Sequence, residues 1–204
     1  DRGHLLTVGS NSAGKGSNFV VPCLLDPQFA ASGSTFICLD PKGENALVTK
    51  SAAAKHGFDI KILNPFGIPG LPNDRFNPFD YTSKDDNNVI EYCDMLAEML
   101  IPIKANADST SEHFDSQGRS ILSAYMLHLV DVGEEEKNFG TLFKWINYAG
   151  DRLDNLLADM MVSESYRGVL ATLIEGFVET RRTGEKEASG IFSTMKKAIE
   201  PFKN

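Results

Sequence analysis

Hydrophobic patterning changes character at about residue 84. Before it, three short apolar runs occupy residues 4–8 (His4-Leu5-Leu6-Thr7-Val8), 34–39 (Ser34-Thr35-Phe36-Ile37-Cys38-Leu39) and 58–63 (Phe58-Asp59-Ile60-Lys61-Ile62-Leu63). Each is the length of a buried strand. Between them the sequence predicts helices from Lys15 to about Leu25, with Pro22 placed to shorten or kink the first, and from about Glu44 to Lys55. Turn formers close the second and third runs: Asp40-Pro41-Lys42-Gly43-Glu44 and Asn64-Pro65-Phe66-Gly67. Strands alternating with helices through short loops predict an α/β fold on a parallel, doubly wound sheet with right-handed crossovers.

Residues 64–84 hold Pro65, Pro69, Pro72 and Pro78 and read as an irregular boundary, with Phe76-Asn77-Pro78-Phe79-Asp80 packed against the sheet. After Asp85 the period becomes helical. Val89, Ile90, Cys93, Leu96, Ala97, Leu100 and Ile101 predict an amphipathic helix over 86–101, capped by Asp85 or Asp86 and ended by Pro102. A second helix is predicted from His113 to about Val132, with the stripe Phe114, Ile121, Leu122, Tyr125, Met126 and Leu129. Further helices follow over 142–148, with Thr141 as cap, and over 151–161, 166–179 and 189–202. The domain assignment is therefore 1–84 and 85–204, the second all-α, with the last helix (about 189–202) returning to the first domain as the open alternative.

The 204 residues are 42% hydrophobic and 24% charged, which suits one globular domain or one with an insertion. A net charge of −8 argues against an electrostatic trap for nucleic acid over the whole surface, and leaves a local basic patch open. Cys23, Cys38 and Cys93 are odd in number and sit in apolar runs, so they read as reduced core residues. His4, His56, His113 and His128 lack metal-ligand spacing. No run of 18 apolar residues marks a membrane helix. The sequence lacks an initiator Met and reads as a piece of a longer protein.

The chemistry concentrates in Gly9-Ser10-Asn11-Ser12-Ala13-Gly14-Lys15-Gly16, between the first apolar run and the first helix. Gly, four residues, then Gly-Lys is the phosphate-binding loop spacing. Glycines let backbone amides approach phosphate oxygens, and the following helix offers its positive end to the same anion. Lys15 is the candidate catalytic residue, a point charge for the β- and γ-phosphates. Gly9 to Gly16, with Ser17 and Asp40, make up the candidate nucleotide contacts. Gly16 stands where Ser or Thr would hold Mg²⁺, so Ser17 and Asp40 are the metal candidates. Asp-Pro at 40–41 also terminates strands, which leaves a structural role open.

Other residues read more plainly. Arg181-Arg182 is the only arginine pair and reads as a solvated loop between helices, against an arginine supplied to a neighbouring phosphate. Lys196-Lys197 reads as two charges on a helix surface. Phe143, Trp145 and Tyr148 read as core at helical spacing, against a stacking platform for single strands.

Several segments together resemble the conjugative coupling proteins of type IV secretion, the TraG-like and TraD-like family. They are the residues around the loop (His4 to Val8, Gly14-Lys15-Gly16, and Val20-Val21-Pro22-Cys23-Leu24-Leu25), then Leu39-Asp40-Pro41-Lys42-Gly43-Glu44-Asn45-Ala46, Leu63-Asn64-Pro65-Phe66-Gly67 and Phe76-Asn77-Pro78-Phe79-Asp80. Phe114 to Leu129 and Gly190-Ile191-Phe192-Ser193-Thr194-Met195 match more loosely. The resemblance implies a RecA-like P-loop NTPase sheet, of which residues 1–84 are the N-terminal part, with an all-α insertion. It implies ATP and Mg²⁺ as cofactors and a homohexamer in the whole protein. The implied partners are secretion channel components and a relaxase–DNA complex or effector proteins. It also implies an inner-membrane anchor through a segment outside this sequence, with this piece cytoplasmic. Glycine after the loop lysine occurs in the family as well. The family's apolar strand ending in Asp-Glu is missing here and is expected beyond residue 204, so the piece alone is expected to hydrolyse ATP poorly.

Two other readings compete. One is a binding module for substrates or an adaptor, with little or no NTPase activity, motivated by Gly16 and the acidic charge. The other is a compact phosphate-loop kinase or GTPase with Asp40 on the metal, for which guanine- or acceptor-binding motifs are absent.

Overall fold

The computed structural model describes residues 6–10, 13–105, 108–133 and 137–203. It divides into two compact units, Asp1–Phe76 and Asn77–Asn204.

In the first unit the chain enters a helix at Lys15. Gly16–Val20 winds with wide π spacing, and the Val21 amide reaches back to the Gly16 carbonyl. Helix α1 (Val21–Leu25) follows without a break. The wide turn sits directly before Pro22, which has no amide to continue the ladder and crowds the preceding turn. Helix α2 (Pro27–Ala31) starts at Asp26, whose Oδ1 accepts the Gln28 amide at 2.9 Å. Helix α3 (Glu44–Lys55) has the limits expected from its pattern and stops at His56-Gly57, where Gly57 takes φ +91°.

The expected parallel sheet is not there: among the described residues no strand forms. Residues 6–8, 34–39 and 58–63 lie outside any helix and have no neighbouring strand. Their side chains show the reason. Leu6 is 85% exposed, Ile37 92% and Leu39 90%, so these runs are not sandwiched between helices as a parallel sheet requires. The third run spends its backbone groups on a loop instead. Ile62 N–H donates to Asp74 Oδ2 at 2.6 Å, the Asp74 amide donates to Ile62 O at 2.9 Å, and Asn64 N–H donates to Asn73 Oδ1 at 2.9 Å. An apolar run specifies a strand only when a partner supplies the ladder. The RecA-like sheet is thus overturned for this chain, and the described architecture is all-helical.

The second unit is built around α5 (Ser109–Val132). Helices α4 (Val89–Leu100), α8 (Val169–Thr183) and α9 (Glu185–Ile199) pack against it. Helix α6 (Phe139–Ile146) lies on α9, and α7 (Asp151–Met161) on α8. Every residue from Ile121 to Val130 is buried, so this stretch of α5 is covered on all its faces by the helices packed around it. Its polar members differ in fate. Ser123 Oγ donates to Asp94 Oδ1 at 2.6 Å, whereas Tyr125 Oη and His128 Nδ1 are buried without a partner. Helices α5 and α9 approach closely at two glycines. A Cβ on Gly190 would lie 2.4 Å from Phe114 Cε1, and one on Gly118 would lie 3.0 Å from Thr194 Cγ2.

Helix ends follow their caps. Asp108 Oδ1 accepts the Thr110 and Ser111 amides at 3.1 and 3.0 Å, so α5 begins ahead of His113. Asn138, not Thr141, caps α6: its Oδ1 accepts the Thr141 amide at 2.9 Å. Helix α4 starts after Asn88, because Asp86 is used in a turn with the Ser83 amide. Between α7 and α8, Tyr166 (φ 55°), Arg167 (φ 56°) and Gly168 (φ 79°) make a left-handed turn. It is tied down by Tyr166 Oη to Leu127 O at 3.0 Å and by Ser165 Oγ to Asp131 Oδ1 at 2.7 Å.

Candidate functional site

The loop from Gly9 to Gly16 closes on its own lysine. Lys15 Nζ donates to Gly9 O and to Ser10 O, both at 2.7 Å. Gly14 takes φ +76°, and a Cβ there would meet Asn18 Nδ2 at 2.8 Å, so the turn demands glycine twice over. The Ala13 amide reaches Ser10 O at 3.3 Å, and Asn18 N–H reaches Gly14 O at 2.8 Å. The result is a curled loop on a helix start with an ammonium held at its mouth. Asn11 and Ser12 lie outside the described residues, as do His4 and Leu5.

The two metal candidates serve local structure. Ser17 Oγ donates to Gly14 O at 3.3 Å. Asp40 Oδ2 accepts the Ala46 amide at 2.9 Å and so caps α3. The turn from Asp40 to Gly43 is closed by Gly43 N–H to Asp40 O at 2.9 Å. Gly43 takes φ +70°, and a Cβ there would stand 2.7 Å from Leu71 Cδ1, so the chain needs glycine at this point. Cys38 is exposed, yet its thiol is pushed up by partial desolvation and then by the Asp40 charge, which keeps it protonated at neutral pH. Among the described residues no cluster of His, Cys, Asp or Glu could hold a metal.

Two further motifs are turns, as their Asn-Pro pairs led one to expect, and in each the asparagine side chain does the organising. Asn64 Oδ1 accepts the Ile68 amide at 2.8 Å while its Nδ2 donates to Ile68 O at 3.0 Å. Asn77 Nδ2 donates to Asp80 Oδ1 and to Lys137 O, both at 2.8 Å. Phe79, expected against a sheet, is instead fully buried in the helical unit with its ring 5.1 Å from that of Phe139, which stacks on Phe202 at 4.2 Å.

The weighed side chains also find places. Phe143, Trp145 and Tyr148 pack against the core, with Trp145 5.2 Å from His128. Arg181 and Arg182 are on the last turn of α8, not in a loop. Arg182 pairs with Glu179 through two bonds of 2.9 and 2.8 Å, and Arg181 reaches Asp154 at 3.1 Å. Both guanidiniums are paired within the helical unit.

A family model described as type IV secretory system, conjugative DNA transfer, matches residues 1–204. The chain belongs to this family. Among curated relatives of the chain is the type IV secretion system-coupling protein VirD4 of Bartonella quintana (strain Toulouse). It is 23% identical over 206 residues, which cover 95% of the chain and 30% of the relative. The protein of the same name from Bartonella henselae (strain Houston 1) is 22% identical over 205 residues, with the same coverage. The chain thus spans about 30% of the length of these relatives. No solved structure matches it significantly. Among the described residues no helix is long and apolar enough to cross a membrane.

Proposed function

We propose that the chain is the nucleotide-loop and helical portion of a coupling ATPase that passes DNA, with its bound relaxase, or effector proteins to a type IV secretion channel. Membership of the family supports the transfer role. One observation supports the nucleotide role: the loop curls so that Lys15 Nζ sits 2.7 Å from the Gly9 and Ser10 carbonyls at a helix start. The loop fits a polyphosphate, whose own oxygens would carry most of the Mg²⁺ coordination because Ser17 is the one loop hydroxyl beside Lys15 among the described residues. The loop's glycine conformation admits close anion approach, and the ammonium exchanges two neutral carbonyls for phosphate oxygens. The bound nucleotide would supply the energy of phosphoryl transfer. Lys15 binds and orients the phosphates, and the amides from Gly14 onward line the anion. Ser17, whose hydroxyl now donates to the Gly14 carbonyl, would be the residue to offer Mg²⁺ an oxygen in place of Gly16. Subunits of a homohexamer would couple these changes to substrate movement, with the whole protein held at the inner membrane.

Isothermal titration of Mg²⁺-ATP into the intact protein tests this. Binding is expected in the parent, lost in Lys15→Ala and strengthened in Gly16→Ser. Equal binding by parent and Lys15→Ala overturns the nucleotide role of the loop.

A further inference from the structure

Helix α4 buries one side against α5 and leaves the other bare. Val89, Cys93, Leu96 and Ala97 are buried, while Met95 is 47% exposed and Met99 70%. The two are four residues apart, so they are neighbours on one helix face. Glu91 and Glu98 are exposed along the same helix and keep that side wetted. The chain's other four methionines differ. Met126, Met160 and Met195 are fully buried, and Met161 packs partly buried against the core. The thiols compete poorly for an oxidant. Cys93 is fully buried, and exposed Cys38 stays protonated, whereas a thiol reacts as its thiolate. A thioether has no proton to lose, so access decides which methionine reacts.

We propose that Met95 and Met99 form a reversible oxidation site, each taking one oxygen from a hydroperoxide, which changes the exposed face of α4 from apolar to polar without unfolding it. A sulfur lone pair attacks the terminal peroxide oxygen and the O–O bond breaks. That oxygen stays on sulfur as a sulfoxide, and its proton leaves with the departing hydroxide as water. Sulfur is oxidised by two electrons and the peroxide is reduced by two. Neither side chain belongs to the core of the unit, so the new polar oxygen stands in water. On Met126, Met160 or Met195 the same oxygen would be a buried polar group. Exposure serves the return step as well. A thiol-dependent methionine sulfoxide reductase can reach both positions, and its thiol pair becomes a disulfide as the oxygen departs in water.

The test treats the whole chain with hydrogen peroxide and follows each methionine by peptide mass spectrometry. Met99 and then Met95 should gain oxygen at least about tenfold faster than Met126, Met160 and Met195, which react only when the core opens. With both oxidised, the urea midpoint read from Trp145 should match that of untreated protein, and retention on a hydrophobic-interaction column should fall. Methionine sulfoxide reductases A and B, one for each sulfoxide epimer, should restore the retention. The double variant Met95→Leu, Met99→Leu keeps the face apolar and should hold its retention through the same treatment. Met95→Gln, Met99→Gln should elute early without any peroxide. Comparable rates at exposed and buried methionines overturn the assignment. So does a urea midpoint that falls when only Met95 and Met99 are oxidised, a retention shift that persists in the Leu variant, or one that the reductases fail to reverse.

Discussion

Gly190 on α9 offers a test in which two general rules predict opposite signs. In an exposed helix interior, Gly→Ala stabilises by about 1 kcal/mol because alanine restricts the unfolded chain and favours the helix. At Gly190 the new Cβ would meet Phe114 Cε1 at 2.4 Å, with Cδ1 and Cζ both at 2.9 Å. Relaxed carbon contacts need about 3.5–4.0 Å, so the flank of the ring must move by about 1 Å or more. Overpacking of this kind costs about 1–3 kcal/mol, and Phe114 packs against the core, so the move disturbs the α5–α9 seam. The net expectation is a loss of about 1–2 kcal/mol, or roughly 2–4 °C in Tm per kcal/mol for a chain of this size. Trp145, the only tryptophan, lies in the helical unit and reports its urea unfolding by fluorescence. In a Phe114→Ala background the ring is gone and Gly190→Ala should become stabilising by about 1 kcal/mol, a reversal of sign within one cycle. Gly190→Ala that stabilises the parent, or that has the same effect with and without Phe114, refutes the reasoning.

Other expectations follow from the core of the same unit. Burial pushes the Cys93 thiol up to about 12, with Asp94 adding to it, so Cys93 should resist Ellman's reagent in native protein while exposed Cys38 reacts; equal rates for both refute this. Burial holds the His128 imidazole below its ordinary value, against the opposing pull of Asp131 and then Asp159. The unfolded chain therefore binds this proton more tightly, and stability is full above the unfolded pKa of about 6.5 and falls as pH drops below it. The urea midpoint should decline from about pH 7 to 5.5, and less so in His128→Gln; a parent midpoint flat over that window counts against it. Tyr125→Phe removes an unpartnered buried hydroxyl and should be neutral or stabilising, whereas Tyr166→Phe breaks the bond to Leu127 O and should cost about 1 kcal/mol by urea titration.

How far the sequence could be read depended on whether the deciding interaction was local. Helix α3 came out with its expected ends, because Glu44 to Lys55 is bounded by a turn before and His56-Gly57 after. Helix α7 did too, over Asp151 to Met161. Helix α5 began earlier than its apolar stripe suggested, since Asp108 fixes the start and carries no hydrophobic signal. The three apolar runs failed for the opposite reason. Nothing in Phe36-Ile37-Cys38-Leu39 states whether a neighbour exists to complete its ladder, and among the described residues none does. The loop motif was legible as spacing, while the use of Asp40 as a cap for α3 was hidden behind its place at the end of an apolar run. Lys196 and Lys197 are surface charges on α9 as expected, and only the fold brings Lys203 and Phe143 beside them.

The encirclement of α5 also has a consequence in time. Within the helical unit a ribosome releases α4 and α5 first, but α9 begins 53 residues after α5 ends. At about 5–20 residues per second, the newly made α5 waits roughly 3–10 s with Phe114 and Gly118 open to water on the side that α9 will cover. During that interval the nascent chain presents its stickiest surface to the cell, and whatever shields it then governs yield as much as the finished fold does.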